Sequence, residues 1–321
     1  MGLLEARTIG FIGLGAMGSP MARRIAEKLP PGSQMYVYDV VQPPMDAISE
    51  AFPGKIVKAV SPKHVAEHAN LIISMVPEGR HVRSVYLDNE TGITAANISD
   101  HIILECSTID RSTSLAVKKH INTNFPKAEF YDAPVTGGVL GAEKGTLAFF
   151  LGCNENDPNF KSLVKLLQHV GRQVISCGGP SFGIATKLTN NYLSGLIAIA
   201  SSEAMNMGMR AGIDPRVLSQ ALAAGTAQNA ILDRFNPVPG VVPDAPSSNG
   251  YQGGFKVQLM RKDFALAVDM AKETNAKTIL GPLGLKTYED ATNDPRCWDL
   301  DSRVVFRHIG GNENWKKNAD I

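Results

Sequence analysis

Three side chains in the stretch GGPSFGIATKLTNNYLSG, residues 178–195, could do chemistry together: Lys187, and Asn190 and Asn191 three and four positions further on. In a helix those offsets place them on one side. Two neutral amides flank the ammonium and no carboxylate stands close to it in sequence, so it suits proton transfer better than a local ion pair. Such a lysine can take a proton from a hydroxyl and return it. It does so when partial desolvation and a nearby cation bring its pKa from about 10.4 toward 7–8. The ordinary alternatives are a lysine that snorkels to water or one that pairs with a distant acid.

A second group of residues could supply the cation. The apolar run TIGFI is followed by Gly13-Leu14-Gly15-Ala16-Met17-Gly18 and then by the helical pattern SPMARRIAEKL. This is G-x-G-x-x-G between a strand and a helix. Gly13 permits the tight turn, Gly15 lets the backbone approach a pyrophosphate, and Gly18 lets helix and strand pack closely. The helix start adds N–H groups and a partial positive charge. The next strand pattern, QMYVYD, ends in Asp39, 21 residues beyond Gly18. A carboxylate there accepts hydrogen bonds from ribose hydroxyls and repels a 2′-phosphate, which favours NAD over NADP. Oxidised nicotinamide carries a positive charge, so a cofactor held here would help lower the pKa of a nearby lysine.

Two more loops fall at expected strand ends: Met75-Val76-Pro77, and Ser107-Thr108. Ligands of doubly wound sheets lie over such ends, although Thr108 also stands where a helix cap would. Thr136, Gly137 and Gly138 follow the strand pattern at Tyr131. A hydroxyl beside two glycines suits a loop whose N–H groups hold a carboxylate, and it is equally good turn chemistry.

These residues need a frame. Strand patterns cover Thr8–Ile12, Gln34–Asp39, Lys55–Lys58, Leu71–Met75, His101–Glu105, Glu129–Asp132, Thr146–Leu151 and Gln173–Cys177, with helical patterns between several of them. Alternating units of this kind predict an α/β, doubly wound, mostly parallel sheet. Beyond Pro180 the patterns are helical: Ile184–Ala211, Pro215–Ala223, Phe255–Thr274 and Gly281–Asn293, interrupted by a Pro/Gly-rich segment at Asn236–Gly254 that reads as an ordered wrapping loop. The expected domains are therefore residues 1–180 and an all-α domain at 181–321, joined by a long helix.

The totals agree with an ordinary globular chain: 321 residues, 44% apolar, 20% charged and a net charge of +1. Such a balance argues against nucleic-acid or membrane-surface partners. Four scattered cysteines without a C-x-x-C pair argue against a disulfide scaffold or a metal site and for a reduced compartment. The N-terminus shows no targeting pattern before the first strand.

Taken along the chain, the segments GFIGLGAMGSPMA, SMVP, ECSTID, DAPVTGGVLGAEKGTLAF, GIATKLTNN, EAMNMGMRAGID, NPVPGV, NGYQGGF and LMRKDFALA resemble the β-hydroxyacid dehydrogenase family. The segments NPVPGV and NGYQGGF resemble its eukaryotic, 3-hydroxyisobutyrate-oxidising branch. The resemblance implies a Rossmann domain followed by a helical domain, with Lys187 catalytic and Asn191 binding substrate. It implies that Thr136, Gly137 and Gly138 hold the substrate carboxylate. Lys262 would reach the cofactor near its nicotinamide, with Val76, Pro77 and Thr108 as further cofactor contacts. The implied reaction is NAD-dependent oxidation of 3-hydroxyisobutyrate to methylmalonate semialdehyde in valine catabolism. Members usually form homodimers or homotetramers, and eukaryotic ones are usually mitochondrial.

The chain departs from the family at two places. Thr136 stands where serine is usual, and GTAQNAILD replaces a serine- or tryptophan-containing stretch. Both bear on substrate preference. Competing readings are a reductase of small aldehydes such as glyoxylate or succinic semialdehyde, against which Asp39 counts, and a non-catalytic dinucleotide-binding scaffold. A 6-phosphogluconate dehydrogenase would need a longer helical part.

Overall fold

A computed structural model describes residues 8–318. The chain divides into two compact units, the first ending at Lys187 and the second beginning at Leu188.

In the first unit, six parallel strands form one sheet: β1 (Ile9–Ile12), β2 (Met35–Tyr38), β3 (Ile56–Lys58), β4 (Leu71–Ser74), β5 (Ile102–Glu105) and β6 (Glu129–Asp132), in the order β3-β2-β1-β4-β5-β6. This is the doubly wound Rossmann order. Every residue of β1, β4 and β5 is buried, because helices cover both faces of the sheet. The crossovers are α1 (Gly18–Lys28), α2 (Gln42–Ala51), α3 (Pro62–His68), α4 (Gly79–Leu87) and α5 (Arg111–Asn124). Two of them escape sequence patterning. Helix α2 opens on two prolines, which suit the first turn of a helix but read as a loop. Helix α4 opens on Gly79, where a Cβ would strike the Asp110 carboxylate at 2.5 Å.

The last two expected strands do not extend this sheet. They form a second, three-stranded one with a strand that the pattern missed: β7 (Val135–Thr136), antiparallel to β8 (Leu147–Leu151), which pairs in parallel with β9 (Gly171–Ser176). Strand β7 is two residues long, too short to show a period. Helices α6 (Gly138–Lys144) and α7 (Phe160–Leu167) belong to this part.

Helix α8 (Phe182–Arg210) begins in the first unit and continues as the first helix of the second. After it come α9 (Pro215–Ala224), α10 (Ala230–Phe235), α11 (Val257–Glu273), α12 (Gly281–Asn293) and α13 (Val305–His308). Among the described residues the second unit has no strand, only an isolated bridge between Lys256 and Asp301. Its core centres on Phe264 of α11, fully buried against Tyr192 and Tyr288 with ring centroids 4.9 and 5.6 Å away. Burying one such ring stabilises the fold by roughly 1.5–3 kcal/mol. A Cβ at Gly195 or Gly284 would lie 2.9 or 2.6 Å from that ring, so both glycines are needed for helices α8 and α12 to close on it. The Asn236–Gly254 segment is ordered, with Tyr251 buried and its hydroxyl donating to the Pro237 carbonyl at 2.7 Å.

Candidate active site

Parallel pairing brings the first set of expected residues to one edge. Gly13 follows β1, Asp39 follows β2, Val76 and Pro77 lie just past β4, and Thr108 just past β5, all at carboxyl ends of strands. Gly13 has φ +91°, and a Cβ on it would lie 2.2 Å from the Met75 carbonyl oxygen. A Cβ on Gly18 would lie 1.9 Å from the Gly13 carbonyl oxygen. These two glycines are thus demanded by the protein's own packing. Gly15 is different: it is exposed, and a Cβ there would meet nothing within 4 Å. Among the described residues none needs a close backbone approach at Gly15, and it is the place where a pyrophosphate would rest over the N-terminus of α1. The cradle therefore fits a dinucleotide.

Asp39 is half-buried, and its carboxylate accepts the N–H of Leu14, inside the glycine loop, and that of Val41 at 2.8 Å. The residue expected to meet the ribose thus also staples the glycine turn. The loops after β4 and β5 are tied together: Ser107 Oγ accepts the Val76 N–H at 2.8 Å, and the Ser107 N–H donates to Glu105 at 2.9 Å. Asp110 caps α5 by accepting the Thr113 N–H at 2.7 Å, so Thr108 stands outside the helix cap.

Thr136 lies in β7 opposite Ala148, and Gly137 and Gly138 turn the chain into α6. Their φ values of +130° and +65° are the region that favours glycine, so they serve the backbone turn directly. Both are exposed and Thr136 is half-buried, which leaves the loop open to a ligand.

Lys187 is only 7% exposed and Asn191 only 6%, one helical turn apart on α8. Asn190, expected on the same side, is exposed instead, and its amide donates to Asn191 Oδ1 at 3.1 Å. At three residues' offset it falls off the edge of the buried stripe.

In the second unit the structure adds a residue that the sequence reading missed. Asp263 of α11 is buried, and its Oδ2 accepts the Asn191 amide at 2.7 Å. Its Oδ1 lies 3.1 Å from the Lys262 ammonium, close enough for an ion pair although off the direction of a hydrogen bond. One carboxylate thus holds two of the expected site residues. The only signal in sequence was its place beside Lys262, since its partner Asn191 is 72 residues away.

Among the described residues, one group of metal-ligand type gathers: Asp294, Cys297 and His308. Its carboxylate already takes Arg296 in two side-chain bonds, at 3.0 and 2.7 Å, and His308 at 3.2 Å. That network is a capped turn after α12, well away in sequence from every candidate site residue above.

The chain is similar to known proteins along most of its length. Residues 8–179 match a family model described as the NAD binding domain of 6-phosphogluconate dehydrogenase. Residues 182–305 match one described as NAD-binding of NADP-dependent 3-hydroxyisobutyrate dehydrogenase. The mitochondrial 3-hydroxyisobutyrate dehydrogenase of Mus musculus is 39% identical over 87% of this chain and 80% of its own length. The NAD-dependent L-serine dehydrogenase of Pseudomonas aeruginosa is 35% identical over 88% of this chain and 91% of its own. The structure of Mycobacterium tuberculosis 3-hydroxyisobutyrate dehydrogenase with L-serine superposes with a TM-score of 0.84 at 30% identity, over 95% of this chain and 99% of that one.

Proposed function

The chain belongs to the 3-hydroxyisobutyrate dehydrogenase family of NAD-binding oxidoreductases, and from that premise we propose that it oxidises 3-hydroxyisobutyrate to methylmalonate semialdehyde, with Lys187 as the general base. When bound, NAD would supply the acceptor for the hydride that leaves the carbinol carbon. Lys187 accepts the hydroxyl proton and returns it in the reverse direction. Thr136, Gly137 and Gly138 hold the substrate carboxylate, and Asn191 binds the substrate beside the lysine. Lys262 contacts the cofactor. Gly13 through Gly18 cradle its pyrophosphate, with Val76, Pro77 and Thr108 along its path. Asp39 accepts from the ribose hydroxyls and disfavours a 2′-phosphate, which sets NAD above NADP.

The observation that carries this reading is the burial of Lys187 and Asn191 one turn apart, at 7% and 6% exposure. A lysine seldom gives up water unless it is paired or put to use. In this division of labour, residues 1–180 hold most of the cofactor and the substrate carboxylate, and residues 181–321 supply Lys187, Asn191 and Lys262 and mediate assembly into a homodimer or homotetramer. The mitochondrial names of eukaryotic relatives support a mitochondrial setting, and a place in valine catabolism goes with the proposed substrate.

A second reading is L-serine oxidation, favoured by the L-serine dehydrogenase relative and by the serine-bound neighbour. Steady-state assays with 3-hydroxyisobutyrate, serine, 3-hydroxypropionate and threonate, each with NAD and with NADP, separate the two. The expected result is the highest kcat/KM with 3-hydroxyisobutyrate and NAD, and a fall in kcat of at least about 10²-fold in Lys187→Ala with NAD binding kept. A higher kcat/KM for serine would replace the substrate. No reduction with any member of the panel would favour a scaffold role.

A further inference from the structure

Asp132 has no part in the reaction as proposed, yet it is a carboxylate only 1% exposed, at the very end of β6. Its two oxygens are aimed at the start of α8. Oδ1 accepts the Ser181 N–H at 2.8 Å, and Oδ2 accepts the Ile184 N–H at 2.9 Å. Those donors are among the ones a helix leaves unpaired at its first turn, and a negative charge there is favoured by the helix dipole. Burial pushes the Asp132 carboxyl above its ordinary range, more than the two N–H bonds draw it back. An apolar residue would fill the same space at lower cost.

The surroundings are cut to admit this clamp. A Cβ on Gly152 would lie 2.0 Å from Oδ1. A Cβ on Gly183 would lie 2.8 Å from Oδ2 and 2.2 Å from the Phe150 carbonyl oxygen. Ser181 adopts φ +64°, a left-handed conformation rare for serine, and this aims its N–H at the carboxylate. Its hydroxyl accepts a bond from Arg111 Nε at 2.9 Å, on the helix that follows the Ser107-Thr108 loop. A strained residue, two glycines and a buried charge all converge on the first turn of α8. Lys187 is three residues beyond Ile184 and four beyond Gly183, so it rises directly over that turn.

We infer that Asp132 is the positioning residue for Lys187: it fixes the first turn of α8, and through that turn the point from which the amine is presented. The inference rests on Lys187 being the general base. It deepens that reading by naming what holds the base in place.

The test compares the parent with Asp132→Asn, Asp132→Glu and Lys187→Ala. Asparagine keeps one acceptor but sets an NH2 group against a backbone N–H. Glutamate keeps the charge and both acceptors and displaces them by one methylene. Each rate is normalised to NAD-binding sites titrated in the same sample, so a partly folded variant is still informative. Misplacing a catalytic group by about 1 Å can cost about 10²-fold. The expected result is a fall in kcat of about 10- to 100-fold in Asp132→Asn and a smaller one in Asp132→Glu, with NAD affinity within about twofold of the parent. The limb of the kcat–pH profile that reports the base should also move, because a displaced amine meets different neighbouring charges. A purely structural role would lower kcat equally at every pH. A pH limb that stays put, or an unchanged normalised kcat, with Lys187→Ala inactive, overturns this inference alone. An active Lys187→Ala removes the lysine reading and this inference together.

Discussion

At the scale of single residues, the main gain of the structure over the sequence is the carboxylate of Asp263. Asn191 is an amide, and an amide can turn over, presenting either oxygen or nitrogen to a ligand. The 2.7 Å bond to Asp263 settles the matter by calling for the nitrogen. Replacing Asp263 by asparagine keeps the shape, loosens the hold on the amide of Asn191 and removes the negative charge beside the Lys262 ammonium. Hydrogen bonds to charged groups are worth about 1.5–3 kcal/mol, so kcat/KM in Asp263→Asn should fall by roughly 10- to 150-fold. Steady-state kinetics on a variant of normal melting temperature checks this, and an unchanged kcat/KM would mean that the contact only helps hold the helices together. Features set by local spacing, the buried pair Lys187 and Asn191 one turn apart and the three glycines and Asp39 at the ends of β1 and β2, were legible in the chain. Asp263 and Asp132 were not, because their partners are 72, 49 and 52 residues away and nothing in a linear pattern connects them.

At the scale of elements, long periodic segments declared themselves and short or glycine-led ones did not. Strands β1, β4 and β5 are apolar throughout because both faces are covered, and they stood out for that reason. Strand β7 and helix α6 were hidden by their length and by Gly137 and Gly138, whose turn chemistry masks the elements on either side. Helix α5 offers a test of how its start is held. Burial pushes the Asp110 carboxyl up, but bonds from Ser112 and from the N–H and hydroxyl of Thr113 outweigh it and hold it below its ordinary range. A carboxylate with a lowered folded pKa contributes stability above the unfolded range, near about 4, and loses it as pH falls through the folded value. Asp110→Ala should therefore cost about 1 kcal/mol near neutrality, with the gap to the parent closing below about pH 4. Urea unfolding at the two pH values checks it. Equal stabilities at pH 7 would show that the cap is not what holds α5.

At the scale of the whole molecule, composition set the class, and the near-balanced charge pointed to small ligands. Assembly was beyond it, since a dimer face looks like any other surface until exposure is known. The second unit leaves several large apolar side chains in water: Ile279 is 83% exposed, Leu280 55% and Leu283 69%, close together at the start of α12, and Met207 on α8 is 71% exposed. Apolar groups gathered in this way usually mark contact surfaces. Light scattering on the purified protein should give two or four times the 34.4 kDa of one chain. A single-chain mass at micromolar concentration would remove the homo-oligomer. One further consequence follows from where the seam between the compact units lies. It falls inside an unbroken helix of 29 residues, about 43 Å long, immediately after Lys187. Splicing and domain exchange are tolerated at exposed loops, not across helical hydrogen bonds. A crossover at this seam would tear the rod on which the amine stands. Descendants of this gene can therefore trade loops freely, yet the two halves must be inherited as a single cut of cloth.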